Sequence, residues 1–443
     1  MAVKKNCCDM ENSVSPIAVG IEFPTNWKWA HLSNVYKFID YRGKTPTKTT
    51  EGIPLITAKN IKKGYLDYSI AEYISTEEYQ KRQTRGISRK GDILFTTEAP
   101  MGNVAIADLD VYSAGQRVIT FQKFDKTSLF VNKCYFFYML SDLFQSELYR
   151  QKTGSTVEGI KAEKLMRFLV PLIPINEQHR IVDRIESLFA KLDEAKEKAQ
   201  AVVDGFEDRK AAILHKAFTG ELTEAWSKQH DECFRKTVTI KSICSSLSYG
   251  TASKSSKEGD VAVIRMGNLQ GGEIDWNNLV YSNNVIDNQK YRLTDGDVLF
   301  NRTNSAEQVG KTSIYRGERP AIYAGYLIKL NYDRSVIIGD YLNYLLNSPE
   351  ARDYCNRVKS DAVNQSNINA QKIGAFEIPL ISIEEQRELV RLVSEQIKAA
   401  QIVKESALNS ISAIDSMKNS ILAKAFRGEL GTNDPTELPV DIM

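Results

Sequence analysis

From Ile181 the apolar residues fall at Ile181, Ile185, Leu188, Leu192, Ala195, Ala199, Val202 and Phe206, in steps that alternate between four and three. That spacing marks a heptad seam, narrower than the apolar stripe of an ordinary core helix. A second seam runs through Val390, Val393, Ile397, Ala400, Ala407, Ile411, Ile414, Ile421 and Ala425, with Lys404 and Lys418 in its two missing positions. Charged residues such as Lys191, Asp193, Glu194 and Lys196 fill the other faces. The pattern predicts two helices of about 40 residues, each about 60 Å long. A polar-backed helix of that length cannot bury its seam alone. Either the two helices pack on each other, or each docks on a domain of its own; the seam alanines favour close helix–helix approach. Ser382 with Glu385 forms a capping box for the second helix. Pro174 stands at the equivalent place in the first, which leaves Asn176 as the expected cap. Gly220 and Gly428 are placed to end the helices in left-handed turns.

Outside the seams the period changes. Residues about 24–170 and 235–378 read as mixed, β-rich segments. Ile53–Thr57, Ile93–Thr97 and Val118–Phe121 are predicted strands of the first, and Val261–Arg265, Val298–Asn301 and Tyr326–Leu330 of the second. Helical patches follow at about 132–150 and 339–357.

The chain also repeats itself. Phe218 in Lys216-Ala217-Phe218-Thr219-Gly220-Glu221-Leu222 and Phe426 in Lys424-Ala425-Phe426-Arg427-Gly428-Glu429-Leu430 stand 208 positions apart. The same offset links Phe168–Ile173 to Phe376–Ile381, Glu177-Gln178 to Glu385-Gln386, and Asn60 to Asn268. Gly91–Phe95 matches Gly296–Phe300 with a three-residue slip that a surface loop absorbs. Ordered matches at one spacing establish a duplication. Its helical parts are closely alike, and its β-rich parts share mainly turn and core positions.

Length and composition add bounds. At 443 residues with 42% hydrophobic and 26% charged residues, the chain suits several globular domains. No apolar run reaches the roughly 18 residues of a membrane span, and the stretch near Val14 to Phe23 makes a poor signal peptide, so a cytoplasmic location is expected. The six cysteines, two adjacent and four scattered, read as reduced thiols, with no ligand-like spacing to the four histidines. Lys plus Arg number 58 against 56 acidic residues, so positive charge for a polyanion must be local or supplied by partners.

Local charge exists at Lys81, Arg82, Arg85, Arg89 and Lys90, and in Arg42-Gly43-Lys44. Such clusters suit phosphate contacts; the plain alternative is a solvated face. The strand at Ile93–Thr97 runs into Glu98–Asn103, and its counterpart into Arg302–Lys311, a loop whose Asn, Arg, Thr and Gln suit base-edge hydrogen bonding. Gly310-Lys311-Thr312 and Gly43-Lys44-Thr45 lack the first glycine of a phosphate loop. GxGxxG, HExxH and GxSxG are missing, as are the tetrapeptide of amino-directed DNA methyltransferases and a nuclease cluster. A binding role follows from that absence of catalytic constellations.

Together these features resemble the specificity (S) subunit of type I restriction-modification systems. The resemblance covers nearly the whole chain after about residue 20. It is carried by Pro171–Gln178 and Pro379–Gln386, each opening a long helix, and by the two Lys-Ala-Phe runs that close them. It implies an α+β protein: two globular mixed α/β target-recognition domains separated by two long helices packed as an antiparallel coiled coil, with an internal pseudo-twofold repeat. The expected division is an N-terminal extension (1–20), a first recognition domain (21–173), a central helix (174–228), a second recognition domain (229–380), a C-terminal helix (381–430) and a tail (431–443). Each domain would read half of a bipartite site on double-stranded DNA. The helices would fix the gap and dock two methyltransferase (M) subunits and, through them, restriction (R) subunits. No cofactor is expected on this chain; the partners imply S-adenosylmethionine, ATP and Mg. Neither catalytic nor metal-binding residues are expected here. The DNA-contact candidates are Arg42, Lys44, Lys59, Asn60, Arg85, Thr97, Asn103, Gln116 and Arg117 in the first domain, and Arg265, Asn268, Arg302, Asn304 and Lys311 in the second. The alternatives are a cytosolic coiled-coil scaffold with two protein-binding domains and an enzyme whose site follows no familiar motif; salt-dependent DNA affinity separates the first reading from the scaffold.

Overall fold

The computed structural model describes residues 22–43, 45–124, 129–153, 158–230, 236–362 and 365–441. The expected extension at 1–20 therefore lies outside the described residues. The chain divides into two compact units, residues 1–198 with 409–443 and residues 199–408. The fold is mixed α/β throughout.

In the first unit a four-stranded antiparallel sheet runs in the order Tyr36–Asp40, Val118–Lys123, Ile93–Thr96, Val104–Ile106. A smaller sheet holds Lys48–Thr49, Tyr73–Ile74, Ile53–Ile56 and Ser113–Ala114, the last two paired in parallel. All four residues of Ile93–Thr96 are buried, because both faces of this strand are covered. Alternation sends Ile93 and Phe95 into the core that holds Phe121 and Phe144, and Leu94 into a second core with Ile56 and Tyr112. The helices Asn132–Leu140 and Asp142–Gln151 close the first of these cores.

The second unit repeats the scheme. Cys244–Tyr249, Leu327–Tyr332, Val298–Asn301 and Thr312–Ile314 follow the same order, and Glu273–Ile274 and Leu269–Gln270 extend the sheet. Val298 and Phe300 enter one core and Leu299 the other. Val261–Ile264 pairs in parallel with Ala321–Tyr323 and antiparallel with Val280–Ser282.

The predicted long helices form. The second is continuous over Ile383–Ala425. The first runs Ile175–Asp204 and resumes at Phe206–Thr219; the intervening Gly205 has no side chain to pack, and glycine costs about 1 kcal/mol in a helix interior. Gly220 ends it at φ 92°. Gly428 has φ 76°, and a Cβ there would sit 2.3 Å from Pro24 Cγ, so both conformation and space require glycine. Ser382 Oγ accepts from Glu385 N at 3.1 Å, as the capping box requires. The expected cap at Asn176 does not form. The helix starts two residues earlier, at Ile175, Pro174 O accepts from Gln178 N, and Asn176 hydrogen-bonds the Glu437 carboxylate instead.

The second seam is the shielded face of its helix, whereas in the first Ala195 is exposed. Val393, Ala400, Ala407, Ile414 and Ala425 are buried, while Ile402, Val403 and Leu408 beside them are exposed. In the first unit Lys196 pairs with Asp415 at 2.8 Å, Asp193 pairs with Lys418, and the Lys418 ammonium sits 4.9 Å from the Phe189 ring centroid. In the second unit Lys404 lies 4.3 Å over the Phe206 ring. Both seam lysines thus cover aromatic rings.

Repeat-related glutamates anchor the helix starts. Glu177 is fully buried; its Oε2 accepts from Trp27 Nε1 and Asn433 Nδ2, both at 2.8 Å, and its Oε1 has no partner. Glu385 Oε1 accepts from Thr223 Oγ1 at 2.7 Å and Ser227 Oγ at 3.0 Å. Burial pushes the Glu177 carboxyl above its ordinary value, against the hydrogen bonds that lower it. The folded state then holds this proton more tightly than the unfolded chain. Its contribution to stability is full below the unfolded value and is lost as pH rises through the folded one. Glu177→Gln is expected to flatten that part of the stability curve, read from unfolding midpoints between about pH 4 and 7. Identical slopes in variant and parent would refute the assignment.

Candidate nucleic-acid interface

In each unit the loop after the central strand is braced against the next strand and against a distant segment. In the first, Thr97 is buried, and its amide and Oγ1 both donate to Arg117 O. Glu98 pairs with Arg117 Nε at 2.9 Å and bridges to Gly159. Asn103 Nδ2 donates to Ile61 O at 2.8 Å. In the second, Arg302 N donates to Tyr326 O, and Thr303–Asn304 pairs with Gln365–Asn367. Arg302 Nη1 reaches Gly325 O at 3.4 Å, its guanidinium lies 4.7 Å from the Tyr249 ring centroid, and its Nε is buried without a partner. Asn304 Oδ1 accepts from Ser305 N.

Several candidates are committed inside the fold. Asn60 is buried; its Oδ1 accepts from Thr57 N and Oγ1, and its amide donates to Asp67 O and Ile70 O. Asn268 does the same with Arg265 N, Asp275 O and Asn277 O. These two shape a loop in both units and leave no group for a ligand, which corrects the expectation that they contact DNA. Thr97 is corrected on the same grounds.

The basic run is also partly internal. Arg82 is buried, donates to Ser113 Oγ and Ala114 O, and stacks 4.7 Å from the Tyr41 centroid, so it holds the domain together. Arg85 Nη1 donates to Asp40 O and Arg42 O, and Arg42 pairs with Asp40 at 2.8 Å. Lys44 lies outside the described residues. Lys59 and Arg117 are exposed, Gln116 is half-buried and accepts from Thr45 Oγ1, and Arg265 is exposed with its Nη2 on Asn278 O.

Two clefts hold Lys59, Gln116, Arg117 and Lys311 among the candidates. One of about 210 Å³ in the first unit is lined by Lys48, Lys59, Glu72, Gln116 and Arg117. Lys48 Nζ lies 2.8 Å from Glu72 Oε1, and Lys59 Nζ lies 4.0 Å from it. The other, about 510 Å³ in the second unit, is lined by Lys210, Lys311 and Arg352 together with Glu207, Asp208 and Asp353. Burial and then Arg352 push the Lys311 ammonium below its ordinary value, and burial does the same to Lys210. Donors and acceptors of both signs along these clefts suit hydrogen bonding to groove edges and phosphates. Residues not singled out in the sequence include Glu72, Lys48, Tyr249 and Tyr326. Only strand register could have marked them, because they gather from separate stretches of chain.

The family described as type I restriction modification DNA specificity domain matches residues 24–203. The chain is 26% identical over 438 residues to the type I restriction enzyme EcoKI specificity subunit of Escherichia coli, spanning 94% of this chain and 92% of that one. It is 24% identical to the StySPI specificity subunit of Salmonella potsdam, with the same coverage. Among solved structures, the HsdS subunit from Thermoanaerobacter tengcongensis aligns with TM-score 0.57 and 18% identity, over 93% of this chain and 99% of that one. A chain solved in work on complex assembly and conformational transition of the type I R-M system aligns with TM-score 0.63 and 18% identity, over 92% and 99%. These structures share the fold.

Proposed function

Because this chain belongs to the family of type I restriction-modification specificity subunits, we propose that each of its two units reads one half of a bipartite DNA site and that the paired helices set the unread gap. DNA sequence specificity within a type I restriction-modification system is its function. The observation that supports the two-part reading is the repeat itself. One β-frame occurs twice, and equivalent corners carry different side chains: Thr57 where the second unit has Arg265, Thr97 where it has Arg302, Arg117 where it has Tyr326. A duplicated frame with divergent donors and acceptors suits two different words in one site.

On this reading the helices form an antiparallel coiled coil. The pairs Asp193–Lys418 and Lys196–Asp415, which run in opposite order along the two helices, support it. A tandem repeat joined this way gives one chain a pseudo-twofold axis that matches the dyad of duplex DNA. The exposed helix faces would receive two methyltransferase subunits and, through them, restriction subunits. S-adenosylmethionine then belongs to the former, ATP and Mg to the latter, and this chain contributes recognition without catalysis in the cytoplasm.

The test is to produce the chain with its methyltransferase partners and sequence the methylated adenines of host DNA. One asymmetric motif in two parts, separated by a fixed unread gap, is expected. A single uninterrupted motif, or methylation without any motif, would overturn the reading.

A further inference from the structure

The 210 Å³ cleft of the first unit holds a carboxylate that its surroundings do not fully use. Glu72 follows the turn organised by Asn60 and lies beside the strand Ile53–Ile56, where its carbonyl accepts from Leu55 N. One side-chain oxygen, Oε1, meets Lys48 and Lys59; the other, Oε2, is shielded from water and has no hydrogen-bond partner. Leaving a buried acceptor unmade is unfavourable, so an unpaired oxygen in a cleft wall is a place for a donor from outside. Both lysines are more than half exposed. DNA phosphates would compete for exactly these ammonium groups, since phosphate contacts position a protein on the duplex. Drawing the lysines outward frees Oε1 of both its ion-pair partners.

The second unit differs at this place. Register sets Val263 opposite Val280 there, so Val280 occupies the position of Glu72, and Arg265 that of Thr57. At the position of Glu72 the second unit thus offers no polar side chain, and at that of Thr57 it offers the Arg265 guanidinium.

We infer that Glu72 is a specificity-determining residue that accepts a hydrogen bond from the exocyclic amine of a cytosine or adenine in one half-site, with Lys48 and Lys59 moving to the flanking phosphates. A carboxylate can accept from such an amine and repels the keto oxygens of guanine and thymine. This inference rests on the DNA-reading function proposed above.

The experiment uses the full methyltransferase complex with Glu72→Gln and Glu72→Ala. Its readouts are methylated-adenine sequencing and binding to duplexes that vary one base pair at a time. The parent complex is expected to show a two-part motif. Alanine should relax one position of one half-site alone, lowering discrimination about ten- to a hundred-fold. Glutamine, which is isosteric but donates as well as accepts, should favour adenine, whose N6 and N7 it can bond together, over cytosine at that position. An unchanged motif in both variants, or a uniform loss across all sequences, would assign Glu72 a structural role and overturn the inference while leaving two-part recognition intact. A parent complex without any motif would remove the DNA-reading function and this inference with it.

Discussion

Inserting one heptad into each long helix, after Lys198 and after Leu408, is expected to lengthen the unread gap between half-sites by about three base pairs. Seven residues add about 10 Å at 1.5 Å per residue, and duplex DNA advances about 3.4 Å per base pair. A heptad restores the same seam, so Lys404 still finds Phe206 and Lys418 still finds Phe189. The DNA, however, turns by roughly a third of a helical repeat over the added length. The lengthened complex should therefore bind its new site more weakly than the parent binds its own. Methylated-adenine sequencing reads the gap directly. Five-residue insertions are the control, since they rotate each seam off its partner and should abolish assembly. An unchanged gap in an assembled heptad variant would sink the proposed ruler role of the helices.

Phe426→Ala should be the most destabilising single substitution in the first unit. The ring is fully buried and meets Tyr138 edge to face at 5.3 Å, in a core that also takes Ile181 and Ile185 from the first helix. Truncating such a ring costs about 3–5 kcal/mol in lost transfer energy and cavity. For a unit of this size the unfolding midpoint should fall by about 10 °C. Its repeat partner Phe218, only half-buried against Tyr341 at 5.3 Å, should cost less on the same truncation. Calorimetry of the two variants decides the order, and an equal or reversed ranking would show that the C-terminal helix is held elsewhere.

The architecture was legible wherever periodicity or repetition carried it. Alternating steps of four and three predicted both seams, and the offset of 208 paired Glu177 with Glu385, which both prove to anchor a helix start. Val298–Asn301 forms as read, and Ile93–Thr97 is one residue shorter. Asn176 failed as a cap because capping rules see only local sequence, whereas Glu437 reaches it from far along the chain. The candidate interface was harder to read for the same reason. Arg82 looks like its neighbours Lys81 and Arg85 in sequence, yet the ring of Tyr41 and the carbonyl of Ala114 turn it inward. Asn60 and Asn268 carry the chemistry of base readers, but nearby backbone or hydroxyl groups, four for the first and three for the second, consume it first. Glu72 gave no signal, since its lysines and its cleft come together only when strand register sets them side by side.

The two seam lysines also govern which helices can sort together. The first helix has an apolar seam and would tolerate a copy of itself. The second would not. Two such helices laid antiparallel must set Lys404 and Lys418 against each other or against an aliphatic residue, without an aromatic face to receive either ammonium. Only the first helix offers Phe189 and Phe206 at the matching places. Each cation–aromatic contact is worth about 0.5–1 kcal/mol at an exposed site. In a cell crowded with identical subunits, self-association through the second helix is thereby discouraged, and the two dissimilar arms of one molecule remain each other's preferred mates.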